Sequence, residues 1–303
     1  MKPFTASDAP VQTGRLAIVT GATIGGLGYE TALALARKGA EVVLAGRSEA
    51  KLAAARTALL GAHPAAKVSS RLVDLASLAS VEAFAAGFAA AHPRLDLLIN
   101  NAGVMALPTR QLTADGFEMQ LGANHLGHFA LAGRLLPLLR QAPGARVVSV
   151  SSMAHRAGRM HFDDLQSERR YSPWAAYCQS KLANLLFTFE LERRSAAGGW
   201  GVTANAAHPG YARTLLIPNG PGGGNFLSAM LEPMVSHSAA DGAMPTLAAA
   251  IAPSAKGGAY WGPNGFYELK GPPAPAKIMP QARDGNAARR LWEVSEKLTG
   301  VSF

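Results

Sequence analysis

The sequence predicts an α/β fold in which a doubly wound parallel sheet carries helices on both faces. Three observations support this fold class. Six short runs rich in β-branched and aliphatic residues alternate with longer Ala- and Leu-rich segments. The runs are almost continuously apolar, which is typical of strands covered on both faces. The helical segments between them supply the right-handed crossovers that parallel strands need.

The predicted strands follow one another along the chain as far as residue 210. They are LAIVT (16–20), EVVLAG (41–46), KVSSRLVDL (67–75), LDLLIN (95–100), RVVSVSS (146–152) and VTANAAHPG (202–210). No internal repeat or interdomain linker separates them. We therefore expect one domain over residues 14–303, preceded by a flexible lead at 1–13.

The last third of the chain differs in composition. The Gly- and Pro-rich stretch LLIPNGPGGGNFLSAM lies within 214–240, which we expect to form a mobile substrate loop. A C-terminal extension, about 256–303, contains a second such stretch, GPPAPAKIMP. Its last segment has a helix start at Asp284 and a helix stop at Gly300.

Four aromatic residues lie close together in this extension: Tyr260, Trp261, Phe266 and Tyr267. They are open to two interpretations. Such side chains line apolar substrate pockets, and they equally form turns that dock a chain end on the core. The sequence favours neither interpretation.

Length and composition exclude several classes of protein. With 49% hydrophobic and 16% charged residues, the 303-residue chain has the composition of a globular protein. No apolar run approaches the roughly 20 residues that span a membrane, so no membrane span is expected. The start lacks the apolar run of a secretory signal, and Cys178 has no second cysteine to pair with. These features predict a cytoplasmic protein.

The formal charge of +9 raises the question of a nucleic-acid partner. The basic residues are scattered, and the densest groups are pairs such as Arg169–Arg170. Without a recognition motif, no nucleic acid is expected. No metal is expected either, because His125 and His128 have no acidic or cysteine ligands nearby in the sequence. We expect these histidines to pack in the core or to cap a helix.

The stretch TGATIGGLG, residues 20–28, follows the first predicted strand and begins the first helix. A dinucleotide-binding turn needs glycine where the chain bends, where the backbone approaches the pyrophosphate and where the helix packs on the strand. Gly21, Gly26 and Gly28 can fill these roles. The helix that starts near Leu27 offers its positive N-terminal end to phosphate. These features predict a Rossmann fold.

The end of the second strand decides between the two nicotinamide cofactors. An acidic residue there binds the ribose hydroxyls of NAD, whereas arginine suits the 2′-phosphate of NADP. The residue is Arg47, while Glu41 lies at the wrong end of the strand and Glu49 lies in the next helix start. The sequence therefore predicts NADP(H).

A tyrosine and a lysine stand four residues apart in WAAYCQSKLANLLFTFELERR. On a helix, Tyr177 and Lys181 share one face. A nearby ammonium stabilises a phenolate and lowers the pKa of the phenol, so the pair suits acid/base work. Ser151 and Ser152 end one predicted strand and Asn101 follows another, which places polar groups where α/β sheets bind ligands.

The motifs TGA..GGLG, LVDL, NNAG, GANHLGHF, SVSS, YCQSK and HPGYART occur here in the order found in the short-chain dehydrogenase/reductase family. The chain resembles that family from about residue 14 to 214. NNAGVM, NHLGHF and YCQSKLANLLF are similar to the branch of retinol dehydrogenases and protochlorophyllide reductase-like enzymes.

The resemblance implies a catalytic tetrad of Asn124, Ser152, Tyr177 and Lys181. Tyr177 would give a proton to a carbonyl oxygen as hydride arrives, and Ser152 would position that oxygen. Lys181 would bind the nicotinamide ribose and lower the phenol pKa, and Asn124 would hold a water for proton relay. In the reverse direction the same groups would oxidise an alcohol.

The resemblance also implies a set of cofactor contacts. Carried over by motif, they are Gly21, Gly26, Leu27, Gly28, Arg47, Asp74, Leu75, Asn101, Ala102, Gly103, Tyr177, Lys181, Pro209, Gly210 and Thr214.

The sequence departs from the family pattern in two places. Gly21 and Gly26 enclose four residues where relatives have three, which puts the phosphate contacts of the turn in doubt. Ser152 and Tyr177 are 25 residues apart, about twice the separation in many members. The longer connection resembles that of the retinol-dehydrogenase-like branch.

The sequence thus predicts an NADP(H)-dependent oxidoreductase that acts on a carbonyl or secondary alcohol of a small apolar compound. The alternative is a catalytically silent nucleotide-binding regulator or scaffold with the same fold. By analogy with the family, a homodimer or homotetramer would pair through long helices near 111–140 and 174–198.

Overall fold

The computed structural model describes residues 4–212 and 236–303, and the elements below belong to these residues. The strands are β1 Leu16–Thr20, β2 Glu41–Gly46, β3 Val68–Leu72, β4 Leu97–Asn100, β5 Ala145–Val150, β6 Val202–Ala207, β7 Tyr260–Pro263 and β8 Pro273–Pro275. The helices are α1 Leu27–Arg37, α2 Glu49–Ala62, α3 Leu78–Ala91, α4 Met119–Leu121, α5 Gly127–Leu139, α6 Pro173–Gly198, α7 Ala239–Ile251 and α8 Gly285–Thr299. A π-helical turn, Gly122–Leu126, joins α4 directly to α5, and a 3₁₀ helix occupies Met153–Ala157.

These strands form one sheet in the order β3-β2-β1-β4-β5-β6-β7-β8. All neighbours are parallel except β7 and β8, which pair antiparallel at one edge. The order reverses between β1 and β4, and doubly wound sheets bind ligands beyond the carboxyl ends of the strands at such a point. The predicted doubly wound parallel sheet is confirmed.

Alternate residues of the central strands belong to two hydrophobic clusters. Ile18 and Leu98 pack on one face with side chains of α3, α5 and α6. Val19 and Ile99 pack on the other face with side chains of α1, α2 and α7. Because both faces are covered, every position of a central strand favours an apolar side chain. The edge strand β3 has the sequence VSSRL and is half exposed, as is common at sheet edges.

The limits of β1 and β2 are those that the sequence predicts. The next four strands are present but shorter, and β5 and β6 end at Val150 and Ala207, before polar segments that leave the sheet. The strands β7 and β8 are not apparent in the sequence, because YWGP and PAP are short and rich in Pro and Gly. Pairing with β6 holds β7 in place, with Tyr260 opposite Ala206.

The C-terminal extension contributes both to the sheet and to the core. The predicted last helix is confirmed: Asp284 caps its start, and Gly300 ends it with a φ of +67°. The four aromatic residues differ in exposure. Tyr260 and Trp261 are buried in β7, whereas Phe266 and Tyr267 are 78% and 70% exposed. Neither interpretation made from the sequence holds for all four residues.

Most of the predicted substrate loop, 214–240, lies outside the described residues, and so does Thr214. In the predicted lead, Ala9 and Gln12 are buried, and the N–H of Gln12 donates to the carbonyl of Lys38 at 2.7 Å. No helix within the described ranges combines the length and the apolar character that crossing a membrane requires.

Candidate active site

The glycine turn lies at the carboxyl end of β1, next to the carboxyl end of β4. Gly21 has a φ of +69°, and a Cβ there would lie 2.8 Å from the Cα of Ala102. A Cβ on Gly28 would lie 2.5 Å from Asn101 Nδ2 and 2.7 Å from the carbonyl oxygen of Gly21. Both positions exclude a side chain, because β1, α1 and β4 approach one another at this point. The bend and the helix packing predicted for this turn are both present.

The longer turn is accommodated by a second bend at Gly25. Gly25 has a φ of +78°, and the N–H of Gly26 donates to the carbonyl of Thr23 at 3.0 Å. Gly26 then precedes α1, whose first residue is Leu27. The first N–H groups of a helix have no partner within the helix and attract phosphate. Despite the extra residue, α1 therefore still begins directly after the glycine turn.

The hydroxyl of Thr20 joins β1 to the segment after β4. It accepts the backbone N–H groups of Asn101 and Ala102 at 2.9 and 3.0 Å. Asn101 Nδ2 donates in return to the carbonyl of Thr20 at 2.8 Å. His128 Nε2 lies 3.0 Å from the same hydroxyl, and His128 Nδ1 lies 3.0 Å from the carbonyl of Asn124. This network links the predicted cofactor residues to the π-helical turn.

The residues predicted to contact the adenosine half of the cofactor follow β2 and β3. Arg47 comes directly after β2 and is exposed. Its guanidinium has no hydrogen-bond or ion-pair partner among residues 4–212 and 236–303, so it is free to bind an anion. After β3, Asp74 Oδ1 accepts the N–H of Ala76 at 2.9 Å, and Leu75 is buried.

Asn124 lies in the π-helical turn, with its side chain fully buried. Its Oδ1 accepts the N–H of Val104 at 2.8 Å. Its Nδ2 donates to the carbonyl of Val104 and to Ser180 Oγ, each at 2.9 Å. A Cβ on Gly103 would lie 3.0 Å from Asn124 Oδ1 and 3.5 Å from Lys181 Nζ. Both amide hydrogens of Asn124 are thus used within the chain, and the segment at Gly103 lies beside the lysine.

Ser152 and Tyr177 meet despite their long separation in the sequence. The Ser152 hydroxyl lies close enough to the Tyr177 phenol to act on its pKa. Ser152 also precedes the 3₁₀ helix and accepts the N–H of Ala154 at 3.2 Å. Burial raises the pKa of the Tyr177 phenol to about 12, although the nearby Ser152 hydroxyl acts to lower it. The Tyr177–Lys181 spacing predicts a lowered pKa, and in this structure the direction is the opposite because the phenol is desolvated.

Lys181 is buried one helical turn beyond Tyr177. Its Nζ donates to the carbonyl of Val150 at 3.1 Å and lies 5.7 Å from the centre of the Tyr177 ring. Burial lowers the pKa of Lys181 to about 8. Close to neutral pH the side chain therefore still carries most of its positive charge.

Pro209 and Gly210 form a turn after β6. Gly210 has a φ of +68°, and its N–H donates to His208 Nδ1 at 3.2 Å. The carbonyl of Pro209 accepts a hydrogen bond from His237 Nε2 at 2.6 Å. The turn lies at the same edge of the sheet as Ser152, because β5 and β6 are parallel neighbours.

This edge of the sheet fits a dinucleotide. The glycines of the turn let β1, α1 and β4 pack closely, and the N-terminus of α1 suits a diphosphate. Arg47, at the next strand, is a cation without a partner in the part of the chain that the structure describes. At the same edge stand a protonated phenol, the nearby serine and a buried cation. Such an arrangement can transfer a proton at a carbonyl or alcohol oxygen.

A family model described as short chain dehydrogenase matches residues 15–219, more than half of the chain. The chain belongs to the short-chain dehydrogenase family. This confirms the resemblance seen in its motifs and makes the protein a member of an oxidoreductase family.

Curated relatives of this short-chain dehydrogenase include several retinol dehydrogenases. Retinol dehydrogenase 13 from Homo sapiens is 45% identical over 295 residues, which cover 95% of this chain and 85% of the relative. Retinol dehydrogenase 12 from Homo sapiens is 43% identical, with coverage of 96% and 88%. The predicted likeness to the retinol-dehydrogenase branch is confirmed.

Solved structures of similar proteins share the whole architecture. An uncharacterised protein from Mycobacterium paratuberculosis is 43% identical, with a TM-score of 0.83 and coverage of 100% of this chain and 99% of that chain. A short-chain dehydrogenase from Shigella flexneri 2a complexed with NADP is 25% identical, with a TM-score of 0.66 and coverage of 83% and 98%.

Three residues not identified from the sequence also belong to this site or contact its segments. Thr20 could have been identified from the sequence, because it is a hydroxyl residue at the end of an apolar strand directly before Gly21. The sequence indicates Gly25 more weakly, as the first of two adjacent glycines. No sequence pattern indicates Glu268, since only the tertiary fold brings its carboxylate against Arg156 and His208. His125 and His128 pack in the core, as expected.

Proposed function

We propose that this short-chain dehydrogenase is an NADP(H)-dependent oxidoreductase that reduces a carbonyl, or oxidises a secondary alcohol, by hydride transfer. The observation that carries the proposal is the buried Lys181, whose Nζ lies 5.7 Å from the Tyr177 ring, with Ser152 close to the same phenol. All three lie at the carboxyl edge of the sheet, beside the glycine turn. A bound nicotinamide supplies or accepts the hydride.

In this mechanism, Tyr177 is the general acid. Its raised pKa keeps the phenol protonated at neutral pH, so it can give a proton to a carbonyl oxygen. Ser152, which lies close to the phenol, holds that oxygen in line. The Lys181 ammonium stabilises the phenolate that remains, and its other hydrogens are available to a ribose. In alcohol oxidation the same phenol, once deprotonated, accepts the proton.

Substitution of Tyr177 tests this mechanism. Tyr177→Phe keeps the ring and its packing but removes the transferable proton, so we expect kcat to fall by about 10²- to 10⁴-fold. NADPH binding, followed by the change in NADPH fluorescence, should remain within about twofold of the wild type. Full turnover by Tyr177→Phe on an accepted substrate would remove the proposed acid.

The preference for NADP(H) rests on Arg47. Its guanidinium at the end of β2 has no partner among the residues that the structure describes, and it suits a 2′-phosphate better than a pair of ribose hydroxyls. We expect Arg47→Ala to lower kcat/KM for NADPH by about tenfold or more, and to change kcat/KM for NADH little. Arg140→Ala, which removes an equal charge at the far end of α5, is the control. Equal kcat/KM values for both cofactors in the wild type would contradict the preference.

The substrate that we propose is a small apolar carbonyl or alcohol. The names of the curated relatives place retinal and retinol in the first panel, alongside steroid, aromatic and aliphatic ketones and aldehydes. The alternative, a silent nucleotide-binding regulator, predicts NADPH binding without oxidation across that panel. A homodimer or homotetramer in the cytoplasm remains a prediction.

A further inference from the structure

Glu268 lies outside the tetrad but accepts hydrogen bonds from three parts of the chain. Its Oε2 accepts from Arg156 Nη2 at 2.5 Å and from His208 Nε2 at 3.0 Å. Its Oε1 accepts the backbone N–H of Lys277 at 2.9 Å. The side chain is only 19% exposed. Both carboxylate oxygens are therefore engaged, and most of the charge is shielded from water.

One of these contacts leads to Ser152. Arg156 belongs to the 3₁₀ helix that Ser152 begins, and the carbonyl of Ser152 accepts the N–H of His155 at 3.1 Å. Gln281 Nε2 adds a second tie from the C-terminal extension, donating to the carbonyl of Arg156 at 2.9 Å. The extension thus holds the short helix whose first turn fixes the serine.

The other side-chain contact leads to the Pro209–Gly210 turn. His208 is completely buried, and its Nδ1 accepts the N–H of Gly210. The ring is therefore neutral and donates from Nε2 to Glu268. A Cβ on Gly210 would lie 2.3 Å from the carbonyl oxygen of Leu269 and 2.9 Å from that of Glu268. The turn packs directly on the backbone that carries the carboxylate.

The backbone at Glu268 adopts a costly conformation. Tyr267 and Glu268 have φ values of +50° and +61°, a region that residues other than glycine seldom occupy. Such strain persists only where surrounding contacts impose it. Both side-chain contacts of Glu268 run to segments that border the proposed hydride-transfer site.

We propose that Glu268 is a positioning residue that sets the distance between the catalytic serine segment and the cofactor-binding turn after β6. The proposal rests on the function proposed above. Arg156 transmits the position of Glu268 to Ser152, and His208 transmits it to Pro209 and Gly210. The Arg156 contact and the His208 contact can be removed separately, so each removal has its own kinetic signature.

Three variants test this division. Glu268→Gln keeps the shape but removes the charge, and we expect it both to lower kcat and to raise KM for NADPH, each by about tenfold. Arg156→Met removes only the contact between Glu268 and the Ser152 segment, and it should lower kcat with little change in KM for NADPH. His208→Leu removes only the contact between Glu268 and the Pro209–Gly210 turn. It should raise KM and the directly measured Kd for NADPH, with a smaller effect on kcat.

The matched control is Glu192→Gln. Glu192 is a half-buried carboxylate on α6 whose Oε2 accepts the N–H of Ala204 at 2.7 Å, remote from the serine segment and the turn. We expect it to lower Tm and to leave both kinetic parameters unchanged. If Glu268→Gln behaves like this control, its role is structural and the proposal is wrong. Equal effects of Arg156→Met and His208→Leu on kcat and KM would also overturn it.

The wild type separates failure of this proposal from failure of the proposed function. Wild-type protein that neither binds NADPH nor oxidises it on any substrate refutes the proposed function, and this inference with it. Wild-type turnover combined with unchanged kinetics in the variants refutes the positioning role alone. Should Glu268→Gln not fold, the Arg156 and His208 variants still decide, because each leaves two contacts of the carboxylate intact.

Discussion

Lys181 is a cationic side chain in a place where a cation is costly. It is 5% exposed, and its Nζ donates a hydrogen bond to the carbonyl of Val150. Burial favours the neutral amine, which is why its pKa is lowered to about 8. A buried ammonium with donors to spare is suited to bind a hydroxyl-bearing ligand.

The lowered pKa of Lys181 predicts a pH dependence of stability. The folded state releases the lysine proton near pH 8, whereas the unfolded chain keeps it to about 10.5, so the unfolded state binds more protons between these values. The contribution of Lys181 to unfolding free energy should therefore rise over this range, by about 3 kcal/mol in total.

The comparison with Lys181→Met isolates this effect, because the other titrating groups are common to both proteins. Urea unfolding at pH 7.5 and pH 10 should show wild type gaining stability relative to the variant as the pH rises. A difference between the two proteins that does not change with pH would mean that the lysine is not desolvated.

At the scale of elements, the glycine turn fixes how α1 meets β1 and β4. The contact is between backbones, with the amide of Asn101 filling the place where a side chain on Gly28 would lie. The helix can begin this close to the sheet only because Gly28 has no Cβ. The same closeness puts the N-terminus of α1 where it can bind a diphosphate.

Alanine substitution at two helical glycines tests the packing of α1. Gly28→Ala should destabilise the fold by about 1–3 kcal/mol and weaken NADPH binding, because the new Cβ meets backbone and a hydrogen-bonded amide. Gly61→Ala in α2 is the control, since nothing lies within 4 Å of its Cβ position. There we expect a small gain in stability, as alanine is the better helix former. Urea unfolding of the two variants measures both effects.

At the scale of the whole molecule, the end of the chain completes the core beneath the site. Trp292 of α8 is buried and packs against Phe129 of α5, Phe187 of α6 and Phe303, with ring centres 4.4–5.8 Å apart. Arg194 lies over the Trp292 ring at 4.4 Å. Trp292 and Phe303 lie beyond the part of the chain that the family model covers, yet they support α6, which carries Tyr177 and Lys181.

Removing this ring should destabilise the whole protein. Trp292→Ala leaves a large cavity among packed aromatic side chains, and we expect a loss of about 3–5 kcal/mol of unfolding free energy in urea. Phe266→Ala, which removes a ring that is 78% exposed, should change stability by less than about 0.5 kcal/mol. Similar losses in both variants would mean that the tail does not pack on α6.

Much of the fold follows from local patterns. The strands β1 and β2 are apolar runs bounded by glycine and polar residues, and α8 has its own start and stop signals. By contrast, β7 and β8 are visible only once β6 offers an edge to pair with. In the site, the proposed tetrad is predictable because its residues stand in motifs of the family, whereas Thr20 and Glu268 are ordinary residue types placed by the fold.

By itself, the sequence determined the doubly wound sheet and the family, because apolar periodicity and the order of the motifs are properties of the chain alone. The roles of Asn124, Ser152, Tyr177 and Lys181 are implied by the resemblance to that family and stay predictions. Only the tertiary structure decided the pKa values of the site side chains and the contacts that hold them in position. Burial, which depends on every packed neighbour, raised the pKa of Tyr177 and lowered that of Lys181. Long-range folding brought Glu268 against Arg156 and His208, a contact that no local pattern encodes.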